Sequence, residues 1–571
     1  MVAIRASSFG GIRPKLNARY LGEDGAQIAN NVDTTRQGAL TPVHDLGDNV
    51  LGGNVSLAVS GFVPKTLFRY GIDYLVEDDK KWVSSTRHVN FARGQITGDE
   101  FEVLYFTDNS DSGFKPQFTD KNKVGAKNQT ILGGTVSGLT QSFPLGVNAP
   151  TIAPKVVGVT EAGVIEGLTI EYRTYVFTHV YTRSGREMES APSPASPPTK
   201  YYLESGQLDK VNTLTRAVPE GGGHMAASEH KKRIYRAVAG TFLFVDEIPG
   251  STQEYTDRKD AAELGEPLPS LTWSPPDPDM KGLVNMANGI MAGFKGRDIF
   301  FCEPYIPHAW PINYTVTVDS PVVAIVSLDT TLVVLTNERP YFVQGSDPSF
   351  MTVVEADIAQ ACIAPRSAAK LGGECYFSSP DGLVTVSSRG SKIITENIFS
   401  YRQWNEYFET DSIIGYVHDL KYYGFFKSKN TNIRPNGVFI YDIPTRQFTM
   451  STVSASAAFA DLRFDKLYVM DVRKVRAWGE GAPMSYTWKS KIFGMPSEVS
   501  FSCMQIEAES YDSMTYKLYA DGSLLQEGAV TSRNMMRIKS VLARDWEIQL
   551  EGKGEVFNIA LAQAGQELAR K

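Results

Sequence analysis

Short runs of alternating apolar and polar residues recur along almost the whole chain, with Gly, Asp and Asn between them. A period of two marks strands with one buried face, and the separators are turn formers. Segments 57–59, 67–70, 74–76 and 101–106 predict antiparallel strands joined by tight turns. Residues 109–142 are polar and glycine-rich and predict an exposed loop. In 169–181, Ile170, Tyr172, Thr174, Val176 and Thr178 share one face, and Tyr175, Phe177 and His179 share the other. Both faces are substantially apolar, so this strand is expected to be covered on both sides or paired in a sandwich. Pro192, Pro194, Pro197 and Pro198 follow, which suits an edge or a connector because proline donates nothing to a ladder. Segments 233–236 and 242–245 add two strands. Beyond a stiff P-P-D-P-D linker at 275–279, strand–turn–strand units recur at 290–302, 322–343, 375–386, 416–441 and 467–478. Strands at 514–519 and 546–550, with a turn at Asp521-Gly522, close the pattern.

These elements predict an all-β chain. The units start at intervals of about 30 to 50 residues, the spacing of propeller blades. The expected architecture is a β-propeller core completed by N-terminal strands, with an inserted β-sandwich and a C-terminal β domain. Residues 1–38 form an N-terminal arm. Residues 39–145 hold the first blades and the polar loop. Residues 146–274 form the inserted sandwich, similar to a fibronectin type III module. Residues 275–490 hold the remaining blades, and 491–571 form the terminal domain. At 571 residues the chain exceeds one compact core, in line with this division.

Composition changes the picture in three ways. Aromatics at 11%, with 49 Gly and 30 Pro, favour strands and corners over helical bundles. A net charge of −7 argues against broad adhesion to nucleic acid, and an acidic wall would keep passing DNA mobile. Cys302, Cys362, Cys375 and Cys503 form no C-x-x-C pair and read as buried thiols. The first residues lack the apolar core of a signal peptide, and the aliphatic run at 321–328 is too short to span a bilayer. The expectation is therefore a chain neither exported by that route nor membrane-anchored.

Chemistry is sparse. No P-loop, H-E-x-x-H or G-x-S-x-G is present, and no two of the seven histidines stand at ligand spacing. His418-Asp419 and the Asp277/Asp279 pair are the nearest approach to acid–base partners, and the linker pair reads as a solvated turn. No enzyme activity and no cofactor is expected. The first 22 residues carry Arg5, Arg13, Lys15 and Arg19 and no acid. They read as a solvated arm, or as one laid on an acidic neighbouring subunit. Segment 303–311, E-P-Y-I-P-H-A-W-P, is a proline-stiffened loop. Either Trp310 plugs a gap between blades, or Tyr305, His308 and Trp310 meet another subunit.

An ordered set of blocks carries a family resemblance: S-F-G-G-I-R-P-K-L at 8–16, N-N-V-D-T-T-R-Q-G-A-L-T-P at 30–42, the tyrosine- and proline-rich stretch at 175–198, C-E-P-Y-I-P-H-A-W-P at 302–311, and S-P-D-G-L-V at 379–384. Together, over about residues 1–490, they resemble the tail nozzle proteins of short-tailed bacteriophages, also called tail tubular protein B. The resemblance implies a structural virion protein, made in the host cytoplasm and assembled as a homohexameric ring at the distal end of the phage tail. Its implied partners are a tail adaptor ring, tail fibres or spikes, the host cell surface, and viral DNA passing through without sequence-specific binding. It brings no catalytic residue. Within that reading the polar loop, with Gly113, Lys115, Lys121, Lys123 and Gly138, is the expected channel gate. The alternatives are a propeller that binds or degrades polysaccharide, with paired carboxylates at one mouth, and a different tail hub or fibre-anchoring protein.

Overall fold

The structure, a computed structural model, describes residues 3–51, 63–70, 81–109, 115–123, 129–130, 142–157, 169–202, 209–213, 227–431 and 435–568. It is built almost wholly from antiparallel sheets. Seven of them are arranged as blades around a common axis, each offering its first strand to the centre. Those inner strands are Thr66–Tyr70, Val89–Arg93, Lys281–Asn285, Val322–Leu328, Ala369–Leu371, Phe408–His418 and Ala458–Asp461. Each packs beside the next around the circle, and Ala458–Asp461 packs beside Thr66–Tyr70, so the circle is closed. The expected completion of the propeller by N-terminal strands is what is seen. Closure matters because an open sheet stack leaves an exposed edge.

The seam between first and last blades is held by burial and by charge. Leu67 and Trp82 pack with Ala457, Tyr468 and Met470 in one core. Arg69 and Asp461, both nearly fully buried, form an ion pair across it. The Trp82 and Tyr468 rings meet edge to face at 4.9 Å.

Residues 146–274 enter between the second and third blades. Arg186–Glu189, Tyr175–Arg183, His230–Val238 and Thr241–Pro249 form one sheet, and Lys155–Val157, Asp209–Asn212 and Glu254–Asp257 a second. Tyr175, Phe177, Val211, Ile234 and Val245 share a core between them. A separate ribbon pairs Ile170–Arg173 with Thr199–Tyr202. This topology supports a sandwich and no finer kinship. The prolines of 190–198 sit between serines with a common task. Ser190, Ser193 and Ser196 each donate a backbone N–H, at 2.9 Å, to the carbonyls of His179, Phe177 and Tyr175. Their hydroxyls accept from the N–H groups of those same three residues at 3.0–3.1 Å. Serine side chains thus complete a ladder that prolines would otherwise interrupt.

Two expectations need correction. Residues 1–38 are not an arm. Ala3–Ala6 pairs with Val556–Ala562, and Ala26–Asn30 lies between Tyr486–Ser490 and Phe448–Ser451. The alternation of Ile4 and Ala6 (buried) with Arg5 (exposed) is the reason, because burying the first two fixes the strand. The terminal domain is therefore a sandwich closed by the N-terminal segment, it takes in Tyr486–Ser490, and one of its sheets runs on into the sixth blade as a single ten-stranded sheet. The polar loop at 109–142 also holds structure. Gln117–Thr119 pairs with Leu104–Asp108 and with Phe143–Pro144, because Phe118 has a buried site to fill.

The crossing from sandwich to blade is tight at Gly11. Its N–H donates to Gln447 Oε1 at 2.7 Å, and a Cβ there would stand 2.2 Å from the Phe448 carbonyl oxygen. Gly11→Ala should lower unfolding free energy in urea by about 1–3 kcal/mol. Gly373→Ala, where a Cβ meets open space, should be near neutral. Equal stability of the two variants would contradict this account of the joint.

Candidate functional site

The inner strands of the ring line a partly open cavity of about 280 Å³ on the propeller axis. Side chains from all seven blades reach it, so closure of the ring is what creates it. Two surfaces differ in chemistry. One is aromatic: Phe68 lies 4.8 Å from Phe91 and 5.5 Å from Phe459 between ring centroids. All three rings are half-buried and line the cavity.

The other surface is polar. Arg366, just before the inner strand of the fifth blade, donates from Nη1 to the Ser456 carbonyl at 3.2 Å and from Nη2 to Tyr416 Oη at 3.2 Å. His88 precedes the inner strand of the second blade. Burial pushes its imidazole down to about 4, the positive charges of Arg366 and Lys65 add to that, and Asp108 opposes them. The imidazole is neutral at pH 7, and its Nδ1 is buried without a hydrogen-bond partner. Asn109 donates to Asn90 Oδ1 and accepts the Gly282 N–H at 2.9 Å. The cavity lining includes no Asp or Glu among the described residues. Neither Arg366 nor His88 was legible as a site residue, because only the closed ring brings them together.

The corner at 303–311 answers the alternative left by the sequence. Trp310 is buried in the core shared by the second blade, the inserted sandwich and the third blade, and its Nε1 donates to the Pro307 carbonyl at 2.8 Å. His308 is buried too, accepts the Glu189 N–H at Nε2 over 3.3 Å, and meets the Trp273 ring edge-on. These two residues join parts of one chain and offer no free surface. Tyr305 is 56% exposed, at φ 60°. Nearby, the turns Ile312–Tyr314 and Pro348–Phe350 pack together and leave Ile312 84% and Phe350 78% exposed.

The basic residues of the N-terminal segment are spread along its fixed path. Arg5 is on an edge strand with its side chain exposed. Arg13 is half-buried, and the Lys15 Nζ donates to the Glu396 carbonyl at 2.5 Å within the chain. Of the expected gate, Lys115 and Lys123 are exposed and Lys121 is half-exposed, all beside the Gln117–Thr119 strand. Gly113 and Gly138 lie outside the described residues. The four cysteines are buried free thiols, as expected. Asp277 and Asp279 share one partner, Lys295, at 2.9 and 3.0 Å.

No family model and no curated protein matches this sequence. Among solved structures, the chain is similar to the Neurospora crassa Pan2 WD40 domain, at 4% identity over 44% of this chain and 73% of that one, with a TM-score of 0.25. It is similar to the extracellular domain of a putative one component system, BT4673 from B. thetaiotaomicron, at 8% identity over 82% of this chain and 68% of that one, with a TM-score of 0.25. It is also similar to the exo-β-1,3-galactanase of Phanerochaete chrysosporium, at 9% identity over 63% and 94%, with a TM-score of 0.20. At such scores none of them bears on activity.

Two buried histidines, His308 and His179, and the half-buried His88 shape the pH response. Burial holds His308 at about 4, assisted by Arg186, and His179 at about 3, assisted by His230 and Lys232. His88 behaves alike. Their ordinary value is 6.5, so below that pH the unfolded chain takes up protons that the folded one refuses. Stability is then full above about pH 6.5 and falls as pH drops towards 4, by roughly 3 kcal/mol for His308 alone. Urea melts between pH 7.5 and 4.5 should show this slope. It should flatten in His308→Gln, whose amide oxygen can still accept from Glu189. An unchanged slope in that variant would contradict the assignment.

Proposed function

We propose that this chain is a stave of a hexameric tail nozzle, a virion ring through which a phage genome leaves, docked to a tail adaptor and to tail fibres or spikes. One observation carries the reading: the blocks that resemble nozzle proteins lie at the joints of the fold. Residues 8–16 cross from the terminal sandwich to the sixth blade, where Ile12 donates to the Phe448 carbonyl at 2.8 Å. Residues 30–42 contain the Val32–Asp33 and Thr41–Pro42 pairing and reach Val556 through Leu40. Residues 175–198 hold the serine ladder of the inserted sandwich. Residues 302–311 form the corner that locks that sandwich to two blades. Ser379 and Pro380 receive the Trp404 and Asn405 side chains at 3.2 and 2.8 Å.

Residues placed this way hold large parts in fixed relation, which suits a ring subunit that must keep its shape under force. Stiffness follows from sheet ladders that satisfy the backbone and from sheets shared between domains. A ring forms when a head-to-tail contact closes by rotation. The exposed trio Tyr305, Ile312 and Phe350 is the apolar surface this reading assigns to a neighbouring subunit. A polysaccharide-cleaving propeller would instead use paired carboxylates at one mouth, whereas the axial cavity presents Arg366 and His88.

Native mass measurement tests the proposal. The purified chain, alone or with the adaptor, should give a species of six copies, and Phe350→Glu should weaken it at least tenfold in midpoint concentration. A chain that stays monomeric in both settings and is missing from purified virions would overturn the proposal.

A further inference from the structure

The axial cavity stands against the charge balance of its own protein. The chain carries a net charge of −7, yet the cavity lining has Arg366 and no carboxylate among the described residues. Arg366 spends two of the five N–H groups of a guanidinium on neutral oxygens, those of Ser456 and Tyr416. Beside it, His88 Nδ1 is buried and unpartnered. Asp108, the acid whose charge acts on His88, is bound by Arg87 at 2.8 Å. A guanidinium hydrogen-bonded to neutral oxygens among the described residues, with the neutral His88 ring inside its field, gains most from an anion. Charge-assisted hydrogen bonds are the strongest such a site can make, and a buried polar nitrogen without a partner is costly.

The facing wall narrows the class of ligand. Phe68, Phe91 and Phe459 pack against neighbouring cores on one side and leave half-buried ring surface on the cavity. Apolar surface left uncovered in this way is stabilised by an apolar or aromatic body. A volume of about 280 Å³ holds one ring with one head group.

We infer that the propeller axis is a binding site for a small organic oxyanion. Its phosphate or carboxylate head is held by Arg366 and His88, and its apolar body lies against Phe68, Phe91 and Phe459. The site is separate from the ring-forming surfaces of the proposed nozzle and does not depend on that reading.

Calorimetric titration of the intact protein tests this with three probes: inorganic phosphate, phenyl phosphate and benzoate. Phenyl phosphate should bind at least tenfold more tightly than inorganic phosphate, and comparison with benzoate decides between the two head groups. Arg366→Gln should weaken phenyl phosphate by about tenfold or more, as expected for loss of a charged hydrogen bond. Phe459→Ala should weaken phenyl phosphate while leaving inorganic phosphate unchanged. Should Arg366→Gln fail to fold, His88→Gln carries the same test with a smaller expected loss. Absence of binding by all three probes at 10 mM, or affinities unmoved in both polar variants, would overturn the inference.

Discussion

Everything in this molecule depends on one seam. The first and seventh blades come from distant parts of the chain, and the ring exists only because Leu67 and Trp82 find Tyr468 and Met470 there. Apolar burial supplies the drive, and the Arg69–Asp461 pair adds specificity of register, since breaking one partner of a buried pair is far costlier than the pair itself is worth. Once the circle shuts, each inner strand packs beside the next, and a cavity is left on the axis. Closing over so long a loop is entropically costly, which is why so much aromatic surface is committed to it.

A second level of organisation fastens other parts onto the ring. The sixth blade continues as one sheet into the terminal sandwich, so those two bodies share hydrogen bonds and not merely contacts. The inserted sandwich is joined differently, through the core around Trp310, Tyr181 and Phe143 and through the Arg186–Asp99 ion pair at 2.6 Å. Shared sheets and shared cores both resist hinge motion. A chain of several domains behaves as one stiff piece when its joints are as well packed as its interiors.

Much of this was readable from residue order, and the exceptions have physical causes. The hairpin of Thr331–Thr336 with Tyr341–Gln344 follows directly from alternation and a turn, as does Asp521-Gly522 with its two left-handed residues. Ala3–Ala6 was missed because a strand of four residues carries little periodic signal, and its partner strand lies at the other end of the chain. Gln117–Thr119 was hidden by polar neighbours, although Phe118 marks it. The serine ladder escaped because prolines conceal a strand from any propensity rule, and only the spacing of Ser190, Ser193 and Ser196 betrays it. Arg366 and His88 had no local signature at all. Their proximity is a property of the closed ring, and local pattern reading cannot reach it.

The central claim is that ring, terminal sandwich and inserted sandwich move as one stave in a larger circle. An averaged electron cryomicroscopy map of the assembled particle tests it most directly. The account predicts six equivalent densities around an open centre, each fitted by the whole chain as a single rigid body. Isolated single chains, or densities that need the propeller and terminal sandwich turned apart at the Gly11 crossing, would contradict it.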